Sequence, residues 1–335
     1  MTVFYVNNKE FTALAGETVL DTLLRYGYPV NYSCKKGRCR SCLLQHLDGE
    51  LALIAQRGLE PEQKSAGLLF ACQCLPAPGL ALATPDAGEL YFQSSVQQVE
   101  YLTDSIAALT LSCDPAKRFQ AGQCVNLRRK DGISRSYAIA AVPNEEQVVI
   151  HIRRKRNGLF SQWLFHDAIP GEPLDMQGPW GHCHYFSGLP EDTLVLIGSG
   201  TGLGAAAGIA MEALAREHKG NIYLYHSGRN LADLYQHKAM LKLMLMHRNF
   251  FYQACISSEA EKDDIDGKRV RWADPLELVA GRHHYDRYHR VFLCGEPKMV
   301  LRGQERAFLG GVPIERIHVL SFDYRELRKH ARNWL

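Results

Sequence analysis

Three cysteines crowd one short stretch of this chain, "SCKKGRCRSC", as Cys34, Cys39 and Cys42, and a fourth, Cys72, stands further on in "FACQC". The spacing is C-x4-C-x2-C followed by a distant cysteine. Four thiolates so arranged can wrap a two-iron, two-sulfide rhomb, three from the turns of one loop and one from a remote strand. Gly37 sits mid-loop, where a residue without Cβ can take positive φ and bring backbone N–H groups close to sulfur. A structural zinc site favours paired C-x2-4-C knuckles, which this gap of four fits poorly. Cys39 and Cys42 alone have redox-dithiol spacing but lack the strand-to-helix setting. Unreactive free thiols are the plain alternative. The four cations of the stretch, Lys35, Lys36, Arg38 and Arg40, would favour the reduced form of an anionic cluster and steer an oppositely charged partner. A solvated loop would look the same.

Other residues have the types that hold phosphates. In "RSYAIA", Arg135 offers a planar cationic fork, followed by Ser136, Tyr137 and Ala138. In "HIRRKRNGLFSQWLF", His151 and Arg153 lie on a strand, and Gly158, Phe160 and Ser161 lie at a helix start that can face a pyrophosphate. Ser161 is also a candidate N-cap. In "IGSGTGLGAAAG", Gly200, Thr201 and Gly202 form a glycine turn between a buried strand and a helix, without a G-x-G-x-x-G fingerprint. Cys294 and Gly295 end the strand "RVFLCGEP", where a buried structural thiol is the alternative.

These groups need separate supports. At 335 residues the chain exceeds one ordinary core, and three units are expected: 1–88, 95–188 and 189–335. A hydrophobic fraction of 46% with 22% charged residues is that of a globular protein, and a net charge of +3 argues against nucleic-acid binding. No apolar run is long enough to span a membrane, and the N-terminus lacks signal-peptide features, so a cytoplasmic location is expected. Of the ten cysteines, four cluster and six scatter, which fits one thiolate site plus buried thiols. The first unit reads as two strands around the turn "NNKE", a helix in "ETVLDTLLRYGY" and a strand "LLQHLDGELAL". "PAPGLALATPDAGEL" reads as a connection. Regularly alternating strands then predict a small antiparallel barrel. From residue 189, strands alternating with helices predict a parallel α/β sheet.

The stretch "YSCKKGRCRSC…FACQ" resembles a plant-type [2Fe–2S] ferredoxin domain. Arg40 stands where that family usually has glycine, and Cys74 is a spare. "RSYA", "GPWG", "IGSGTGLG", "LYHSGRNLADLY", "FLCGEPKMV" and "IHVLSF" together resemble the ferredoxin–NADP⁺ reductase superfamily. The resemblance spans roughly residues 1–322 and implies a multidomain α+β and α/β protein. Its parts would be a β-grasp ferredoxin domain, an antiparallel β-barrel flavin domain and a parallel α/β nicotinamide-binding domain. It implies an oxidoreductase that passes electrons from NADH, with NADPH left open, through FAD and a [2Fe–2S] cluster to a protein acceptor docking at the ferredoxin domain. The acceptor would be a terminal oxygenase of Rieske or diiron type; a deoxysugar dehydratase or a stand-alone flavin or ferric reductase role are the alternatives. The protein is expected to be monomeric. Cys34, Cys39, Cys42 and Cys72 would hold the cluster. Arg135 would pair with a flavin phosphate and Tyr137 would lie against the ring. Ala138 replaces the family's serine near flavin N5. Gly200, Thr201, Gly202 and Gly295 would seat the nicotinamide nucleotide, with Arg229 at its adenosine end and Cys294 beside the nicotinamide. Phe322 would lie near the flavin. Leu320 replaces a usual glutamate, and the tail "DYRELRKHARNWL" receives no role.

Overall fold

The computed structural model describes residues 1–259 and 269–322; the tail after Phe322 lies outside them. The first unit is built from β1 (Thr2–Val6), β2 (Lys9–Ala13), α1 (Val19–Arg25), β3 (Leu43–Asp48), α2 (Pro61–Ser65), β4 (Leu68–Phe70) and β5 (Ala81–Ala83). The sheet order is β2-β1-β5-β3-β4. The first hairpin turns through Asn7 and Asn8 alone, at φ 49° and 61°, a left-handed pair that asparagine tolerates. Helix α1 starts because the Thr18 hydroxyl accepts the Asp21 N–H, and it buries Val19, Leu20 and Leu23 on the sheet.

Two expectations from the sequence fail here. "LLQHLDGELAL" is not one strand. β3 stops at Asp48, and Leu53–Gln56 forms a short 3₁₀ turn. Gly49 turns the chain at φ +90°, where an added Cβ would sit 2.8 Å from the Leu80 Cα. The supposed connection also hides a strand. β5 runs parallel to β1 and antiparallel to β3, in mid-sheet. Leu80 and Leu82 are buried there, so a core contact overrides the flanking prolines and glycine.

After α3 (Ala87–Leu90) come β6 (Phe92–Thr103), β7 (Ile106–Ser112), β8 (Cys124–Arg128), β9 (Ser134–Asn144), β10 (Gln147–Arg153), α4 (Leu159–His166) and β11 (Pro173–Trp180). The six strands close as a barrel in the order β10-β7-β6-β11-β8-β9. Each pair of neighbouring strands is antiparallel. Alternate side chains such as Val148, Ile150 and Ile152 fill it, joined by Phe160, Trp163 and Leu164 of α4.

The third unit comprises β12 (Thr193–Ser199), α5 (Gly202–Ala215), β13 (Ile222–Gly228), α6 (His237–Met246), β14 (Phe250–Ile256), β15 (Val270–Trp272), α7 (Pro275–Arg282), β16 (His289–Gly295), α8 (Pro297–Leu309) and β17 (Ile317–Ser321). Its sheet is parallel, ordered β15-β14-β13-β12-β16-β17. The chain winds one way from β12 and then returns to its other side at β16. The crevice beyond the carboxyl ends of β12 and β16 is therefore the topological switch point where such sheets bind ligands. Glycines in α5 let it press on the barrel: a Cβ at Gly204 would strike the His151 ring, and one at Gly208 the Ala140 carbonyl.

Candidate redox site

The cysteine loop runs from α1 to β3 and places all four thiols in the interior, each 3 to 8% exposed. Backbone N–H groups surround the sulfurs. Lys36, Arg38 and Cys39 donate to Cys34 Sγ at 3.3, 3.4 and 3.4 Å. Cys34 N–H donates to Cys39 Sγ at 3.3 Å, and Gly37 N–H donates to Cys72 Sγ at 3.3 Å. Gly37 holds φ +67°, and a Cβ there would sit 2.9 Å from Gln73 Cγ, so only glycine fits both the turn and the close approach. The thiols interact as two pairs. Contact with Cys39, then the surrounding N–H groups, draws Cys34 down to about 5, while Cys39 is pushed up by the same contact and by burial. Cys42 and Cys72 repeat this, the contact raising Cys42 and lowering Cys72. Among the described residues no three His, Cys, Asp or Glu side chains converge as a single-ion site. Two facing pairs with inward N–H donors suit a two-iron cluster with two thiolates per iron better than a lone tetrahedral ion. Cys74 is fully buried, and burial pushes its thiol up to about 12.

The four cations of the loop separate. Lys36 and Arg38 are exposed. Lys35 pairs with Asp21 at 2.9 Å. Arg40 turns inward, its side chain 10% exposed, and meets Glu60 at 3.3 Å. Arg40 also holds φ +55°, a left-handed backbone that costs a residue with a Cβ about 1 kcal/mol.

The second centre lies where barrel and parallel sheet meet. Arg135, Ser136, Tyr137 and Ala138 lie along β9, and His151 and Arg153 on the neighbouring β10. The Tyr137 ring is half-buried and rests 5.3 Å from Phe160, which is itself in the barrel core and supports the tyrosine from behind. Gly158, not Ser161, caps α4, and it contributes no side-chain bond to the first-turn N–H groups. The Ser161 hydroxyl instead accepts from Lys155 N–H at 3.0 Å and donates to the Gly158 carbonyl at 3.1 Å. Helix α5 likewise starts at Thr201 with no side-chain cap. Two helix starts without side-chain caps, one beside Arg129, which donates to the Leu159 carbonyl at 3.1 Å, and one in a glycine turn, are a donor set that fits the phosphates of flavin and nicotinamide dinucleotides.

Gly200 takes φ +54°, and a Cβ there would come 3.9 Å from the Arg153 guanidinium. A Cβ at Gly202 would strike the Cys294 carbonyl, and one at Gly295 would strike Ser199. The turn after β12 thus lies directly on the end of β16, and Phe322 joins it by donating its N–H to the Gly295 carbonyl at 2.7 Å. Arg229 is exposed, and its backbone N–H reaches Asp233 at 3.3 Å. Asp233 and Tyr235, which the sequence reading left without a role, complete the junction. Arg153 pairs with Asp233 at 3.0 Å. The Tyr235 hydroxyl accepts the Gly204 N–H at 3.0 Å and lies 3.2 Å from His151 Nδ1. Burial lowers His151 to about 4, so the ring is neutral at pH 7. Cys294 is fully buried, its sulfur 3.8 Å from that of Cys183.

The barrel touches the cysteine loop as well. The Arg40 guanidinium lies over the Trp180 ring at 5.6 Å, and the Ser41 hydroxyl donates to Asn126 Oδ1 at 3.3 Å.

Three family models match in order along the chain: a 2Fe-2S iron-sulfur cluster binding domain at residues 4–77, an oxidoreductase FAD-binding domain at 93–185 and an oxidoreductase NAD-binding domain at 196–304. The reductase subunit of an aromatic O-demethylase from Amycolatopsis sp. is 30% identical over 320 residues, covering 92% of this chain and 94% of its own. The ferredoxin–NAD(P)(+) reductase component of the naphthalene 1,2-dioxygenase system of Pseudomonas putida is 25% identical, with 88% and 90% covered. The solved ferredoxin reductase in carbazole 1,9a-dioxygenase shares the fold at a TM-score of 0.64 and 22% identity, covering 96% of this chain and 98% of that one. Among the described residues no helix is long and apolar enough to cross a membrane. With its cluster, flavin and nicotinamide domains in one polypeptide, the chain belongs to the ferredoxin-reductase family of FAD- and [2Fe–2S]-dependent oxidoreductases.

Proposed function

We propose that this protein is the NADH-dependent reductase component of an oxygenase system. The observation that carries the reading is that the barrel contacts both neighbours, the nicotinamide turn through His151, Tyr235 and Gly204 and the cysteine loop through Arg40 and Ser41. When bound, FAD would supply two-electron chemistry towards the nicotinamide and a [2Fe–2S] cluster would supply one-electron transfer.

The chain's own residues bind and orient. Cys34 and Cys39 would hold one iron and Cys42 and Cys72 the other. Arg135 and the N–H groups at the start of α4 would hold the flavin phosphates, with Tyr137 against the ring. Gly200, Thr201 and Gly202 would pass the nucleotide phosphates close to α5, and Cys294 with Gly295 would shape the wall behind the nicotinamide. Arg229 would lie at the adenosine end; with no further cationic set just after β13 among the described residues, NADH is the expected donor. No side chain needs to move a proton.

The acceptor would dock at the ferredoxin domain; the systems named for the relatives above are an aromatic O-demethylase and a naphthalene 1,2-dioxygenase. Lys36 and Arg38, the two exposed cations of the loop, would meet its acidic surface. A direct test purifies the protein with iron, labile sulfide and FAD and compares NADH with NADPH by kcat/KM. NADH reduction of cytochrome c that disappears in Cys39→Ser, while ferricyanide reduction persists, is the expected result. An NADPH preference would overturn the donor, and cytochrome c reduction unchanged in Cys39→Ser would overturn the electron path.

A further inference from the structure

We propose that Arg40 is a positioning residue that seats the cluster loop on the flavin barrel for electron transfer from flavin to cluster; the inference rests on the electron path just described. Arg40 lies between two proposed ligands, Cys39 and Cys42. Its guanidinium donates to Gln63 Oε1 at 3.0 Å and to the Gly58 carbonyl and Glu60 Oε1 at 3.3 Å each. Glu60 and Gln63 are the capping box of α2, so one end of the side chain is anchored in its own domain. The same guanidinium lies over Trp180 of the barrel. Trp180 pairs in register with Cys124, and Cys124 with Ala138 of "RSYA". Ser41 makes a second contact beside it. Its acceptor, Asn126, is fully buried, donates to Gln177 at 2.8 Å and pairs with Ser136. Two consecutive residues of the cluster loop therefore meet the two strands that lead into the flavin motif.

The backbone supports this reading. Glycine would hold the left-handed φ at position 40 without strain, whereas arginine holds it only because its surroundings fix it. The role is geometric. Glu60 balances the guanidinium charge, and Arg40 itself exchanges neither proton nor electron. A planar fork can bond three acceptors and lie on an indole at once, which an ammonium cannot.

The test mixes NADH anaerobically with the holoprotein in stopped flow and follows the flavin and cluster bands separately. Arg40→Gly keeps the backbone and removes the clasp, and Arg40→Lys keeps the charge. In both, flavin reduction stays within twofold of wild type and cluster reduction slows about tenfold or more. Iron content and the cluster midpoint potential stay at wild-type values. Trp180→Leu, on the far side of the contact, gives the same split without touching the cluster loop, and the double variant is no slower than the slower single one. Cluster reduction within twofold of wild type in Arg40→Gly overturns the proposal. Full rescue by Arg40→Lys, a shifted potential or lost iron also does so, by assigning Arg40 to charge or to loop folding. A wild-type cluster that NADH does not reduce overturns the electron path, and the role of Arg40 with it.

Discussion

Two groups of cysteines lie in this molecule, and their surroundings are opposite. Around Cys34, Cys39, Cys42 and Cys72 the loop aims N–H groups at sulfur, and one thiol of each pair is drawn down. Around Cys124, which pairs with Ala138 of β9, and Cys183, which faces Cys294, the thiols are pushed up: burial takes Cys124 to about 12, and contact with Cys294, then burial, raises Cys183. All of these thiols are buried except that of Cys124, which is partly exposed. Burial alone therefore does not make a cysteine a packing residue or a ligand; inward-facing donors that stabilise a thiolate separate the two.

That contrast breaks most visibly by substitution. Cys39→Ser or Cys72→Ser should abolish the cluster absorbance and its iron. Cys74→Ser and Cys183→Ala should keep both, at a stability cost of about 1 kcal/mol from lost packing. Iron and sulfide assays with visible spectra decide it. A Cys72→Ser protein with two irons, or a Cys74→Ser protein with none, would reverse the assignment of the fourth ligand.

How much of this was legible in the sequence follows the range of each contact. The thiol spacing and the glycine turn after β12 are local patterns, and so is the order of the three units. β5 was not legible, because three residues of alanine and leucine between prolines carry little strand signal until β1 and β3 close on both sides. Asp233 and Tyr235 sat in a segment whose interest centred on Arg229, yet they bond Arg153, His151 and Gly204. Their partners on the barrel lie some 80 residues away in sequence. Arg40 was visible as one of four loop cations and as a departure from glycine, and its meaning depends on Trp180, far along the chain. An aspartate and a tyrosine just after an exposed arginine were the available signal for the first case. For Arg40 there was none beyond the anomaly.

A subtler test addresses Cys294. Its carbonyl lies under Gly202 and its sulfur faces Cys183, so on the proposed reading it would shape the wall behind the nicotinamide. Cys294→Ala should lower kcat for NADH-dependent ferricyanide reduction about tenfold through misplacement of the ring, with cluster content and FAD affinity retained. An unchanged kcat would place Cys294 with Cys183 as packing only.

The smallest expected effect is in acid stability, where the two ends of the molecule again differ. In the ferredoxin domain, Glu17 is held at about 2 by its bond to Arg25. Its folded value lies below the unfolded one, so its contribution is complete above pH 4.5 and is lost as pH falls from 4.5 towards 2. In the nicotinamide domain burial lowers His226 to about 3. An unfolded histidine there takes up a proton below pH 6.5 that the folded one refuses, so stability is complete above 6.5 and declines through the acid range towards 3. Burial also lowers His318 to about 4, which adds to the decline. Between pH 6.5 and 4.5, then, the nicotinamide domain should weaken while the Glu17–Arg25 pair still holds. His226→Asn should remove part of that slope, worth about 2 kcal/mol or roughly 5 °C in Tm, and Glu17→Gln should leave it intact. Thermal unfolding followed by circular dichroism at stepped pH measures both. Equal slopes in the two variants would mean that buried histidines do not set the acid limit, and that the domains differ only in their thiols.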